Sequence, residues 1–218
     1  MKNIILIVCL GLVAWIRPAT AEQDHALYSL KVSIHKDVRP LTREQVEEIL
    51  ERASSLLQKK SEETNATDNV PCDVTFKLDG PIGTFETSAP KDINDADDLE
   101  AVQREPADVK VVDKINFCMG RHDSFIGCSW RPEGRLPKTM IIARSVVVDL
   151  RHFLWAHEFG HTTGLQHRVD DPMALMTPCD MELSNGHISK NECSCFLKGQ
   201  GGCPISEQSP ACPLKNQN

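Results

Sequence analysis

The chain has 218 residues, 40% of them apolar, and carries a formal charge of −7 from 24 basic against 31 acidic side chains. That length accommodates one domain with a substantial core. An acidic balance with no basic run excludes nucleic acid and anionic membrane as natural partners. Residues 1–21 open with Lys2, continue through the apolar run Ile4 to Val13 and close in Ala19-Thr20-Ala21, a small-x-small cleavage signal. The apolar part is too short to span a bilayer stably, and no small residue precedes Cys9 as a lipid-anchor site would require. The segment therefore reads as the signal peptide of a secreted protein, extracellular or periplasmic, with no membrane anchor. Its removal takes away Lys2 and Arg17 and moves the formal charge from −7 to −9.

In the remaining chain Tyr28, Leu30, Val32 and Ile34 alternate with Ser29, Lys31, Ser33 and His35, the period of a strand with one buried face. Thr42 to Gln45 has the form of a capping box, with Leu41 and Val46 placed as a hydrophobic staple. The helix it opens carries Val46, Ile49, Leu50, Ala53, Leu56 and Leu57 on one face, a stripe that must pack on a sheet. Residues 61–69 are polar and include the sequon Asn65-Ala66-Thr67, which reads as a solvated loop. Val74–Leu78 and Val109–Phe117 are the next strand candidates. Between them Asp92–Glu105 is acidic and has room for a short helix. Its carboxylates match no defined calcium loop, so a solvated surface is the better reading than a calcium site.

Ile126-Gly127-Cys128-Ser129-Trp130 and Met140–Val148 follow as strands, the second ending in Val146, Val147 and Val148. Asp149 is a candidate cap for a helix running through Phe153, Leu154 and Trp155 into His157-Glu158-Phe159-Gly160-His161. Four residues apart on a helix, His157 and His161 project from one face and can hold one metal ion. Glu158 sits close enough to reach a metal-bound water without being a ligand. Gly164 can take the left-handed conformation that ends a helix and turns the chain, bringing His167 back as a third nitrogen ligand. Three protein ligands leave a fourth position open to water, the arrangement of catalytic zinc.

This run, followed by Asp171-Pro172-Met173-Ala174-Leu175-Met176-Thr177-Pro178, resembles the metzincin zinc endopeptidases, and Ala174–Pro178 is most similar to the methionine turn of their matrixin branch. The close match extends from His157 to Pro178, with weaker similarity in element order over most of the other residues. The resemblance implies an α+β (α/β-like) catalytic domain over residues 22–198. In it a twisted, mostly parallel sheet with one antiparallel edge strand packs on two long helices, with a small C-terminal part after the zinc helix. Met176, rather than Met173, would form the apolar floor beneath the three histidines. Gly127, Cys128, Ser129 and Trp130 would form the edge strand that holds an extended substrate by strand addition. Gly127 and Ser129 leave room there for a substrate backbone, and Trp130 either flanks a side-chain pocket or belongs to the core.

The implied chemistry is hydrolysis of peptide bonds in a protein or peptide substrate, with one catalytic Zn2+ on His157, His161 and His167 and with Glu158 as the general base. Some metzincins place a tyrosine two residues after the turn methionine. Here that position is Pro178, and the chain's one tyrosine is Tyr28. Arg168 after the third histidine departs from the familiar branches. No inhibitory prosegment is recognisable, so a proteinaceous inhibitor, late zinc loading or narrow specificity would have to control a monomeric enzyme. The alternative from another class is a secreted binding or toxin component with a structural or vestigial zinc site. A zinc amidase acting on non-protein amides is a third reading.

Eight cysteines remain without Cys9: Cys72, Cys118, Cys128, Cys179, Cys193, Cys195, Cys203 and Cys212. In an oxidising compartment an even number reads as a set of disulfides whose connectivity the sequence leaves open. Cys118 and Cys128 are spaced for a local bridge across a loop. A second zinc near Cys193-Ser194-Cys195 is the rival reading, against a spacing tighter than the usual cysteine knuckle. His152 lies off the ligand face, and His122-Asp123 is a weak candidate for structural zinc. Residues Pro178–His187 would wall a substrate pocket. Ser189–Glu192 would then cap a terminal helix through Phe196. Residues 199–218 form an extension that Cys203 and Cys212 could tie back.

Overall fold

The computed structural model describes residues 25–59, 69–86, 89–129, 139–144, 146, 148–178, 186–199 and 203. Residues 1–21, read above as a signal peptide, the Asn65 sequon, Trp130, Cys179, Cys212 and most of the 178–187 wall lie outside the described residues. So does most of the 199–218 extension.

Strands β1 (Ala26–Leu30) and β2 (Val32–His35) are one extended stretch interrupted at Lys31. There the backbone turns aside to accept from the amides of Asp108 and Val109 and to donate to the Asp108 carboxylate. The interruption changes partners. β1 pairs in parallel with β3 (Val74–Leu78), whereas β2 pairs in parallel with both β4 (Gly83–Phe85) and β6 (Val109–Val112). The expected alternation holds up to Leu30, but all four residues of β2 are buried, Ser33 and His35 included. A parallel strand with neighbours on both sides is covered on both faces. His35 meets that condition by bonding Ala89 O at 3.0 Å and packing edge-on against Phe85.

Helix α1 (Arg43–Gln58) begins with the full Thr42–Gln45 capping box and buries Val46, Ile49, Leu50, Ala53 and Leu57. Beyond β5 (Asp92–Ile93), the acidic stretch forms α2 (Ala96–Gln103), where Asp95 caps by accepting from Asp98 N and Glu100 pairs with Arg104. Asp95, Asp98 and Glu100 are thus engaged in caps and a surface pair.

The single strand expected over Val109–Phe117 is instead two, because Asp113 N leaves the main sheet to donate to Lys91 O. β7 (Lys114–Cys118) joins β5 in parallel and β8 (Arg121–Phe125) in antiparallel, forming a separate three-stranded sheet. β9 (Gly127–Ser129) then pairs antiparallel with β10 (Met140–Ala143), which lies parallel to β6. The main sheet therefore runs β4-β2-β6-β10-β9, parallel except for its β9 edge.

The strand expected to last until Val148 stops at Ala143. Ala143 N to Ile126 O and Arg144 N to Val112 O are its last ladder bonds, since neither flanking strand continues. A 3-10 turn over Val148–Leu150 leads into α3 (Arg151–Thr163), whose cap position is Leu150 with no side-chain bond, so Asp149 does not cap it. α4 (Lys190–Lys198) starts with a complete Ser189–Glu192 capping box and runs two residues past Phe196.

Among the described residues three disulfides staple the fold: Cys72–Cys193, Cys118–Cys128 and Cys195–Cys203. Cys193 and Cys195 thus bond to different partners and are not joint ligands of a second zinc. The Cys72–Cys193 bridge spans 121 residues of sequence, a separation at which cross-linking the unfolded chain contributes about 4–5 kcal/mol in the chain-entropy view. No helix among the described residues is long and apolar enough to cross a membrane.

Candidate metal centre

One turn apart on α3, His157 and His161 each direct Nδ1 at a backbone carbonyl, Leu175 O and Leu165 O respectively, both at 2.8 Å. A carbonyl only accepts, so each Nδ1 carries the proton and each Nε2 presents a lone pair. Gly164, at φ 103°, closes the helix with its amide directed at Gly160 O and His161 O. The reversed chain brings His167 Nε2 to 3.2 Å from His161 Nε2, while His157 Nε2 lies 3.1 Å from the same atom. Three nitrogens at zinc–nitrogen distances of about 2.0–2.1 Å in a tetrahedral shell stand about 3.4 Å apart, so the observed spacing fits one shared ion. Among the described residues these three form the group that could hold a metal ion. Burial, helped by the neighbouring His167, lowers the His157 pKa to about 3, which keeps its ring in the neutral form that ligation requires.

The turn after His167 is built onto this site from below. Leu175 supplies the carbonyl that orients His157, and Met176 is fully buried. A Cβ placed on Gly160 would lie 2.5 Å from Met176 Sδ, so the bare glycine is what lets the methionine approach the helix. Sequence reasoning passed over Gly160. The available signal was a glycine inside a helix, where it costs about 1 kcal/mol relative to alanine. Arg168, the departure noted in sequence, is a clamp. Its amide donates to Met176 O at 2.7 Å, and its guanidinium meets Asp170, Asp171 and Glu192. Asp171 also bonds His187 Nδ1, and His187 O accepts from Leu175 N.

Glu158 is 4% exposed, with Oε2 buried and without a hydrogen-bond partner. Burial raises its pKa to about 7, opposed by the nearby Ser129 side chain. Its Oε1 occupies the space where a Gly127 Cβ would stand, 2.2 Å away. Gly127 therefore makes room for the Glu158 carboxylate. Cys128 and Ser129 are both buried, Cys128 in its disulfide. A cavity of about 220 Å³ opens between β9, the Glu158–His161–His167 face and the β7–β8 hairpin.

The remaining candidates lie elsewhere. His152 is half-buried with an unpartnered Nδ1, and its pKa is lowered chiefly by burial. His122 is exposed against Phe117, and Asp123 Oδ1 accepts from Ser124 N. Tyr28 donates to Phe196 O at 2.6 Å and packs on Phe159.

No family model and no curated protein matches the chain. Among solved structures it is similar to metalloproteinase-II from Bacteroides fragilis, at 16% identity and a TM-score of 0.49 over 82% of this chain and 54% of that one. It is also similar to a chain in a chaperone–substrate complex, at 15% identity and a TM-score of 0.44 over 81% of this chain and 38% of that one. The chain thus spans about half the length of the first and less of the second. Neither likeness fixes a family.

Proposed function

We propose that the chain is a secreted zinc-dependent endopeptidase of the metzincin kind, with a matrixin-like methionine turn at Met176, a catalytic domain over residues 22–198 and a cysteine-tied extension over 199–218. The observation that carries this reading is the convergence of three Nε2 atoms within 3.1–3.2 Å steps, two with the opposite ring nitrogen engaged by a carbonyl, beside a buried carboxylate. An oxidising, extracellular or periplasmic location is supported by the three disulfides.

His157, His161 and His167 would hold the zinc. When bound, that ion supplies Lewis acidity and lowers the pKa of water toward neutrality. The chain's own residues do the rest. An extended peptide adds along the outer edge of β9 through backbone hydrogen bonds, which brings a scissile amide over the histidine face. Glu158 takes a proton from the attacking water as its oxygen bonds the carbonyl carbon, then delivers that proton to the amide nitrogen as the C–N bond breaks. Its burial and the closeness of Gly127 hold the carboxylate in one place for both transfers. Tyr28, bonded to Phe196 O, takes no part.

The test is hydrolysis of a peptide library by the purified mature chain, with and without a zinc chelator, alongside Glu158→Gln. Chelation is expected to abolish turnover and zinc to restore it. Glu158→Gln is expected to keep zinc bound and lose about 10²–10⁴-fold in rate. Turnover retained in Glu158→Gln would refute the general base. Zinc binding without hydrolysis of any peptide would leave a binding component instead.

A further inference from the structure

The wall of the cavity opposite the histidines is the β7–β8 hairpin. Its two-residue turn, Met119–Gly120, has positive φ at both positions, 51° and 80°, the mirror-type turn that matches the twist of a hairpin. Gly120 adopts that geometry freely. Met119 does so against the steric preference of its Cβ, yet remains 48% exposed and lines the cavity. The residue before the turn, Cys118, is bonded to Cys128 in β9, so the hairpin tip is fixed beside the strand edge where a substrate would lie. The residue after it, Arg121, also lines the cavity, together with Glu158, His161 and His167.

Several arginines of this acidic chain meet carboxylates. Arg43 pairs with Glu47, Arg104 with Glu100, and Arg168 with Asp170, Asp171 and Glu192. No carboxylate among the described residues pairs with Arg121. Asp123, two positions along the same strand, turns Oδ1 to Ser124 N. Among the described lining residues the one carboxylate, Glu158, is buried against Gly127. A guanidinium is charged at every working pH and offers a planar fork of donors matched to a carboxylate. Among the described lining residues Arg121 carries the one guanidinium, and it places a positive charge in the cleft of a chain of net charge −7.

We infer that Arg121 is a specificity residue: it selects peptides that present a carboxylate to the hairpin wall, with Met119 and Phe125 packing against the stem that carries it. This rests on the peptidase reading above. The carboxylate has two possible sources, an Asp or Glu side chain near the scissile bond or the free C-terminus of a short peptide, and the experiment separates them.

Matched peptides with Glu, Gln or Lys at each position flanking the cleaved bond, all C-terminally amidated, are compared with a neutral peptide bearing a free C-terminus. The expected kcat/KM ratio of Glu over Gln at the responsive position is about tenfold, the size of a charge pair worth a little over 1 kcal/mol. The ratio shrinks as salt is raised. In Arg121→Gln it falls to unity, and in Arg121→Glu it reverses in favour of Lys. A preference for the free terminus alone, lost in Arg121→Gln, keeps the carboxylate assignment and names the terminus as its source. Anisotropy of the same amidated peptides on zinc-loaded Glu158→Gln protein provides a reading independent of turnover. Absence of cleavage by the wild type would sink the peptidase reading while Glu-over-Gln binding still tests Arg121. Equal binding and equal cleavage of the Glu and Gln peptides would overturn the inference.

Discussion

The two walls of the cavity are built on different principles. On the histidine side, each ring is fixed from the same stretch of chain: His161 by Leu165 four residues on, His157 by Leu175 eighteen residues on, and His167 by the Gly164 turn. On that wall His157 and Glu158 are buried, and the rings of His157 and His161 are oriented by backbone carbonyls. On the hairpin side, β7 roots in the core through Ile115 and Phe117 and is tied to β9 by a disulfide, while the tip residues Met119 and Arg121 are exposed. A reaction that needs one fixed proton acceptor and one metal geometry demands the first kind of wall. Recognition of varied side chains tolerates the second, because its contacts can readjust without disturbing the chemistry.

The comparison breaks most sharply at Gly127, where the two walls meet. Gly127→Ala would put a methyl group 2.2 Å from Glu158 Oε1 and displace the carboxylate. The expected result is a fall of about 10²-fold or more in kcat with zinc content unchanged, read by steady-state kinetics and metal analysis. An unchanged kcat would mean that the carboxylate is not held by that contact.

Replacing both Cys118 and Cys128 by serine loosens only the hairpin wall. The bridge closes ten residues of sequence, so its loss should lower stability by about 2–3 kcal/mol in the chain-entropy view. KM should rise while zinc affinity holds, as measured by thermal melting, kinetics and competition with a chelator. A drop in zinc affinity instead would show that the two walls are coupled.

The smallest effect is expected at Gly160→Ala, which perturbs only the histidine side. Overpacking against the fully buried Met176 costs about 1–3 kcal/mol, and better helix propensity returns about 1 kcal/mol. The net loss of about 1 kcal/mol should appear in the melting temperature, with weaker zinc binding and no change in peptide preference. A stabilised variant would show that Met176 has room to move.

Much of the histidine wall was legible in the sequence. The four-residue step from His157 to His161, the left-handed Gly164, and the capping boxes at Thr42–Gln45 and Ser189–Glu192 all appear as read. So do the antiparallel β9 edge and the Cys118–Cys128 bridge. The helix step, the Gly164 turn and the capping boxes depend on dihedral preferences and hydrogen bonds that close within a few residues. The β9 edge and the bridge depend on contacts within about fifteen residues of sequence.

Other features needed the assembled molecule. The break at Asp113 arises because Lys91 O captures its amide. The burial of Ser33 and His35 follows from parallel neighbours on both sides, and the early end of β10 follows from partners that stop. The roles of Gly127 and Gly160 depend on side chains that reach them from elsewhere in the fold, Glu158 and Met176. The Cys72–Cys193 pairing joins residues 121 apart, and Arg121 faces histidines forty or more positions downstream. The sequence by itself determined the donor set and its local spacing, because helix periodicity and turn stereochemistry operate at short range. Tertiary structure alone decided what surrounds those donors, because the energy of burying or leaving unpaired a group depends on which distant segment arrives beside it.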